Sequence, residues 1–161
     1  IRKGGKLIQD GPGQISLDGN LTLKSGSLLT HAALGKLDMV AQNINLEPGA
    51  QVDANGVDEN KGGVIKLSAR QDFNIYSVIT ANGKDGLGAN PGAGAGQIFL
   101  SANKFGGEKA VIHAQGGQAL TQGGAGGAIY VTGNGGKISG TVNVNGGKAK
   151  FEGKAGSIAF K

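Results

Sequence analysis

The chain has 161 residues, which is enough for one domain with its own core. It contains 33 Gly, no Trp, 2 Tyr and 5 Phe, so the core must be built from Ile, Leu, Val and Ala. The absence of Cys excludes disulfides, thiolate zinc sites and thiol catalysis. The net charge of +5 comes from scattered Lys without an Arg cluster, which does not favour specific nucleic-acid binding, and no apolar run is long enough to span a membrane.

A phrase of the form G-x-(I/L)-x-(L/M/V/F) recurs along the whole chain at a spacing of about 30 residues. Its six copies are GQISL from Gly13, GKLDM from Gly35, GVIKL from Gly63, GQIFL from Gly96, GAIYV from Gly127 and GSIAF from Gly156. A second phrase precedes the next copy in each period, as in QVDANG from Gln51 and VITANG from Val78. A third alternating segment lies between the two (NLTL, NINL and FNIY), with only vestiges near Phe105 and Ile138.

The alternation of apolar and polar residues with a period of two predicts strands that bury one face, and no stretch has the 3.6-residue period of a helix. Asn-Gly recurs once per period at one position, whereas an antiparallel sandwich would show a hairpin turn every 8 to 12 residues. The sequence therefore predicts a right-handed parallel β-helix of about five to six coils, with three strands and about 30 residues per coil and essentially no α-helix. We expect residues 1–161 to form a single domain that is processed or cut from a longer protein.

The repeat also predicts which side chains stack along the solenoid. One inward stack starts with Ile15 and Leu37 and continues through Ile65, Ile98, Ile129 and Ile158. A polar position at one corner brings five side chains into register, and we expect them to form a structural amide ladder: His31, Asn55, Asn82, Gln115 and Asn145. Glycine-rich loops of variable length follow this corner, and the longest extends from Lys84 to Gly96.

Few residues are of the types that carry catalysis. Asp53, Asp58 and Glu59 lie near one another in DANGVDEN, where they suit a calcium ion, although the segment lacks a complete calcium-loop motif. Asp38 and Lys66 on neighbouring coils are interpreted as a surface ion pair, and His31 and His113 lie on different coils. We therefore expect no enzymatic activity, and no cofactor other than calcium at this one cluster.

Phe99 and Tyr130 occupy the outward position of the same strand on successive coils. Two interpretations stay open: an exposed aromatic strip that binds a sugar ring or a protein, or a pair that a loop covers. Outward Thr residues do not share one position across coils, which makes ice binding the weakest of the functions we consider.

The pattern GGVIKLSA…VITANG…GAGQIFLSA…VIHAQGG…GGAGGAIYV resembles the β-helical repeats of large bacterial secreted surface exoproteins, the filamentous haemagglutinin-like and autotransporter-like adhesins. The resemblance covers nearly the whole chain, but the motif encodes a coil and not a ligand. It implies a secreted or cell-surface protein in adhesion, aggregation or matrix building, whose partners are copies of itself, adjoining repeats or surface glycans. The alternative function is a carbohydrate-binding or polysaccharide-cleaving β-helix.

Overall fold

The computed structural model describes residues 1–9, 13–31, 35–57 and 61–161, and this part of the chain is all-β. It contains no helix, and so none that could cross a membrane. Its strands are β1 (Lys6–Gln9), β2 (Ile15–Ser16), β3 (Leu21–Leu23), β4 (Leu28–His31), β5 (Lys36–Ala41), β6 (Ile44–Leu46), β7 (Gln51–Asp53), β8 (Val64–Ala69), β9 (Asp72–Ile75), β10 (Val78–Thr80), β11 (Gln97–Gly106), β12 (Ala110–His113), β13 (Ala128–Gly136), β14 (Gly140–Asn143) and β15 (Ser157–Phe160).

The strands form a parallel β-solenoid of about four turns, as the repeat predicts in its main features. The first wall contains β2, β5, β8, the N-terminal parts of β11 and β13, and β15. The second wall contains β3, β6, β9 and the C-terminal parts of β11 and β13, and the third is the six-stranded sheet β1-β4-β7-β10-β12-β14. Every pairing between these strands is parallel, so each strand lies beside its counterpart from the next coil.

The first wall shows how the repeated phrase builds the core. Leu37 pairs with Ile65, Ile65 with Ile98 and Ile98 with Ile129, and all four side chains are fully buried. Each fully buried aliphatic side chain of this kind contributes about 1.5–3 kcal/mol. The prediction is wrong at the first coil, because Ile15 pairs with Met39 and not with Leu37. The connection from β2 to β5 is two residues out of step with the later coils.

The other two walls complete the apolar interior. Phe73 and Phe105 pair across the second wall, and their ring centroids are 5.7 Å apart. The sequence suggested only a vestigial segment near Phe105, yet the residue is buried in a full strand. In the third wall the stacked positions are Leu7, Leu29, Val52, Ile79, Ile112 and Val142.

The glycine-rich segments form a second packed region, which we call the glycine corner and define as residues 82–96, 115–127 and 145–156. Each segment leaves the third wall, turns, and returns beside itself before entering the first wall. Hydrogen bonds join the outgoing and returning halves at Gly96 N to Ala81 O (2.8 Å) and Ala93 N to Lys84 O (2.9 Å). The same two rungs recur in the next segments, from Gly127 to Ala114 and Gly124 to Gly117, and from Gly156 to Val144 and Gly153 to Gly147.

Bonds between successive segments of the glycine corner also recur at every third residue. Gly83 and Gly86 donate to Gln115 and Gln118 of the next segment, at 2.8 and 2.7 Å. The returning halves repeat the step, since Gly92 and Ala95 donate to Gln122 and Ala125. A step of three residues is that of an extended polyproline II chain, whose own groups make no internal bonds and must find partners on neighbouring chains. The glycine corner is therefore a bundle of extended segments joined by backbone bonds.

Glycine is required inside this bundle because neighbouring backbones approach too closely for a side chain. A Cβ added at Gly124 would lie 1.9 Å from the carbonyl oxygen of Ala93, and one added at Gly117 would lie 1.9 Å from that of Lys84. Both obstacles are backbone atoms of adjacent segments, which cannot rotate away. The sequence presented these stretches as corner loops, whereas the structure packs them as a core without side chains.

We predict that Gly124→Ala lowers the free energy of unfolding by about 1–3 kcal/mol or more, because the added methyl must displace the backbone of residue 93. The measurement is urea unfolding followed by circular dichroism. Gly135→Ala is the matched control, since an added Cβ there meets nothing within 4 Å. Equal effects of the two substitutions would contradict a tightly packed glycine corner.

Candidate functional site

A row of carboxamide side chains lines the corner between the third wall and the glycine corner. The Oδ1 atom of Asn55 accepts a hydrogen bond from the backbone N–H of Asn82 (2.7 Å), and the Oδ1 atom of Asn82 accepts one from the backbone N–H of Gln115 (2.8 Å). Each bond crosses from one coil to the next. The prediction of an amide ladder is therefore wrong in its bonding. In such a ladder each side-chain N–H group donates to the side-chain oxygen of the next coil, whereas here the side-chain oxygens accept from backbone N–H groups.

The two ends of the predicted ladder behave differently. The backbone N–H of Asn145 donates to Oδ1 of Asn143 (2.9 Å), so it does not bind the side chain of Gln115. His31 lies outside the row, because Thr30 pairs with Asp53 and this register leaves His31 one residue short of the position of Asn55. The Nδ1 atom of His31 instead accepts from the backbone N–H of Gly35 (3.0 Å).

A groove of about 1020 Å³ opens along this row. Asn55, Asn82, Gln115 and Asn145 line it on four successive coils, and glycines of the glycine corner form much of the remaining wall. Its charged residues are Lys84, Asp85, Lys148 and Glu152, two of each sign. The corner is therefore polar, open and close to neutral over its length.

A second polar ladder, which the sequence analysis did not single out, lies where the second wall begins. Asn43 Nδ2 donates to Asn20 Oδ1 (2.8 Å), the backbone N–H of Asp72 donates to Asn43 Oδ1 (3.0 Å), and Asn134 Nδ2 donates to Asn103 Oδ1 (2.9 Å). The sequence contains a signal for this ladder, because an Asn or Asp precedes or begins the second-wall segment of each coil: Asn20, Asn43, Asp72, Asn103 and Asn134. Asn20, Asn103 and Asn134 are exposed and Asn43 is half-buried.

Among the described residues Asp38 is the one buried carboxylate. It lies on the first wall, and 5% of the residue is exposed. It pairs with Lys36 on its own strand and accepts a hydrogen bond from Gln14 Nε2 (2.9 Å), while its backbone N–H donates to Gln9 Oε1 (2.9 Å). The interpretation as a surface pair with Lys66 is therefore wrong. Burial raises the pKa of Asp38, but the hydrogen bonds from Lys36 and Gln14 and the charges of Lys36 and Lys66 outweigh it and hold the pKa below its ordinary value.

Lys66 points instead toward the aromatic pair. Its Nζ atom lies 5.4 Å from the centroid of Phe99, within the range of a cation–π contact. Phe99 and Tyr130 stack on each other with centroids 4.8 Å apart and planes 11° from parallel.

The two rings do not lie flat on the wall. Since parallel rings cannot approach closer than about 3.5 Å face to face, a centroid distance of 4.8 Å means that their faces point mostly along the solenoid axis. Both residues are half-buried, and the excursion that follows Lys84 packs on residues 115–127 and Gly62. In register, Lys66 occupies the position beside Phe99, whereas Ala159, beside Tyr130, is too small to cover a ring.

The predicted calcium cluster is described only in part. Asp58 and Glu59 lie outside the described residues. Asp53 Oδ1 accepts from the backbone N–H of Asn55 (2.7 Å), so this carboxylate caps the start of the amide row. Within residues 1–9, 13–31, 35–57 and 61–161, no three His, Asp or Glu side chains form a group suited to a metal ion. Calcium at this loop stays a prediction.

His113 pairs with Thr80 and lies in the third wall. Burial lowers its pKa from the ordinary value, and its Nε2 atom is buried without a hydrogen-bond partner. His113 thus lies on a different wall from Asp38 and Lys36.

The geometry defines the chain as a parallel β-solenoid with a polar groove at one corner. Comparison with protein-family models, with curated proteins and with solved structures found no match.

We predict that Asn82→Ala lowers the free energy of unfolding by about 1–3 kcal/mol, because the backbone N–H of Gln115 loses its acceptor. Chemical unfolding of the purified chain measures this. Asn145→Ala is the matched control, since the side chain of Asn145 accepts from no coil beyond it and should cost a few tenths of a kcal/mol. Equal costs at the two positions would show that the row contributes no bond between coils.

We predict that Asp38 makes the free energy of unfolding depend on pH in the acid range. Because its pKa is lower in the folded than in the unfolded chain, the unfolded chain takes up the proton first, and the free energy of unfolding falls as the pH drops below the ordinary value of 3.8. Unfolding curves at about pH 5 and about pH 3 measure the difference. The Asp38→Asn variant should lose less stability over this range than the unmodified chain, and identical losses would contradict the prediction.

Proposed function

We propose that the chain is a non-enzymatic structural and adhesive module of a secreted or cell-surface protein. We also propose that its coils are right-handed and number five to six when the incomplete coils at both ends, represented by β1 and β15, are counted. Six strands in the third wall support that number, and parallel crossover connections are right-handed in almost all proteins, which supports the handedness.

The use of its reactive side chains supports a structural role. Asp53 caps a backbone N–H, Asp38 is neutralised by Lys36, and His31 accepts from Gly35. Catalytic groups of an enzyme would converge on a cleft with matched acid and base. Here Asp38 lies on the first wall, whereas Asp53 and His31 lie on neighbouring coils of the third wall, and each makes its own structural contact.

The observation that carries the proposal is the apolar surface of the last described coil. Among the described strands β15 pairs only with β13, and it leaves Phe160 66% exposed and Ile158 40% exposed. Phe160 also borders a hollow of about 420 Å³ together with Phe105, Val131 and Ile138. Equivalent residues of inner coils, such as Leu100, are buried by the coil that follows. An open parallel edge with apolar residues is a surface for association with another chain or another coil.

A carbohydrate-binding function is the second candidate, and two observations favour it. The groove along the amide row is polar and large enough for a small ligand. The face of Tyr130 beside Ala159 has no aromatic or cationic neighbour among the described residues, and a sugar ring stacks on such a face.

We predict that the purified chain self-associates as its concentration rises and that Phe160→Lys shifts this association to at least about tenfold higher concentration, because a charge replaces the exposed ring. Sedimentation velocity over a concentration series measures both effects. Leu87→Lys is the control, since Leu87 is 71% exposed but lies at the tip of a glycine segment away from β15. A chain that stays monomeric throughout, or equal shifts in the two variants, would contradict an association surface at β15.

A further inference from the structure

The groove along the amide row has a chemical bias that follows from the ladder itself. In Asn55 and Asn82 the Oδ1 atom is occupied by a backbone N–H of the next coil, which fixes the orientation of the carboxamide. The Nδ2 groups of both residues, and the Nε2 group of Gln115, have no partner among the described residues and are not buried. Asn55 and Asn82 therefore present their N–H donors to the groove, and Gln115 adds a carboxamide on the next coil whose orientation no bond to the following coil fixes.

These donors are spaced by the coil repeat. Neighbouring strands lie about 4.8 Å apart, so the row from Asn55 to Asn145 extends about 14 Å along the axis. A ligand that satisfies the donors must offer hydrogen-bond acceptors at a similar short repeat. Polymers of sugar rings, which carry hydroxyl and ring oxygens on every unit, have this property.

The wall of the groove allows a ligand to approach the backbone. Glycines 83, 116 and 146 follow the amide positions directly and line the groove, so its wall there is main chain. A Cβ added at these positions would meet the returning half of the same or a neighbouring segment, at 2.0 Å from the carbonyl oxygen of Ala93 and 1.9 Å from those of Gly124 and Gly153. Glycine is therefore required there by the packing of the corner, and it leaves the main chain as the surface that a ligand meets.

The charges of the groove select against an ionic ligand. Lys84 and Lys148 contribute two positive charges, and Asp85 and Glu152 contribute two negative charges. A polyanion would meet the two carboxylates, and a polycation would meet the two ammonium groups. The carboxylate of Glu152 has no hydrogen bond or ion pair among the described residues and can accept from a sugar hydroxyl.

We propose that this groove binds a linear, uncharged oligosaccharide that lies along the solenoid axis, with the free N–H groups of Asn55, Asn82 and Gln115 donating to its hydroxyl or ring oxygens. The proposal deepens the adhesive role described above and rests on it for its biological setting. The binding itself requires only the folded monomer.

The test uses a substitution that separates the two ends of the carboxamide. Asn82→Asp keeps an oxygen to accept from Gln115 N–H but replaces the free N–H donors with a second oxygen. The probes are linear hexasaccharides of glucose, N-acetylglucosamine and mannose, titrated calorimetrically into the chain at a concentration at which it is monomeric. We expect at least one hexasaccharide to bind the unmodified chain and to bind Asn82→Asp at least about tenfold more weakly, with the melting temperature nearly unchanged.

Asn103→Asp is the matched control, because it makes the same chemical change in the second ladder, away from the groove. It should leave the affinity unchanged. Failure of all three uncharged hexasaccharides to bind, binding only of a sulfated or uronic hexasaccharide, or equal affinity of the unmodified chain and Asn82→Asp would overturn the proposal. Loss of self-association in the Phe160→Lys variant with binding intact would bear on the association surface alone.

Discussion

The parallel register between coils is the constraint on which the rest of the structure depends. Leu37 pairs with Ile65, and Ile65 pairs with Ile98. These pairs fix the position of the remaining residues of each strand beside their counterparts on the next coil, at the strand spacing of about 4.8 Å. A slip of one residue would move all the buried side chains of a strand to the outer face. The apolar stacks therefore fix the register, and the register in turn brings polar side chains into rows that no local sequence pattern would form.

The glycine corner explains how coils of unequal length keep this register. Its three segments share the same two rungs at the base, three residues apart, and differ only in the length of the tip beyond them. Extra residues thus extend the tip without shifting the strands. The close approach at Gly117 and Gly124 makes the base of each segment as strictly packed as the apolar core, with backbone atoms in place of side chains.

The walls could be predicted from the sequence because alternation and the repeated phrase are properties of side chains. The step of three residues in the glycine corner could not be predicted in this way. The corner is held by backbone hydrogen bonds, and glycine has no side chain that would produce a hydrophobic pattern. The offset of Ile15 and the position of His31 were missed because the early coils are shorter, and a spacing rule learned from later coils misplaces them. The burial of Asp38 depends on Gln9 and Gln14 from the preceding coil, which no local pattern reports.

The amide row shows how a structural device can also define a binding surface. A carboxamide has an acceptor end and a donor end, and the coil register occupies the acceptor end at Asn55 and Asn82. Because Asn55 and Asn82 make the same choice on neighbouring coils, their free donors face the same side at the spacing of the strands. A surface with one kind of donor at a constant interval complements a polymer better than a single small molecule, since each added unit meets a further coil without a new kind of contact. The regularity that stabilises the solenoid is thus the same regularity that would select a repeating ligand.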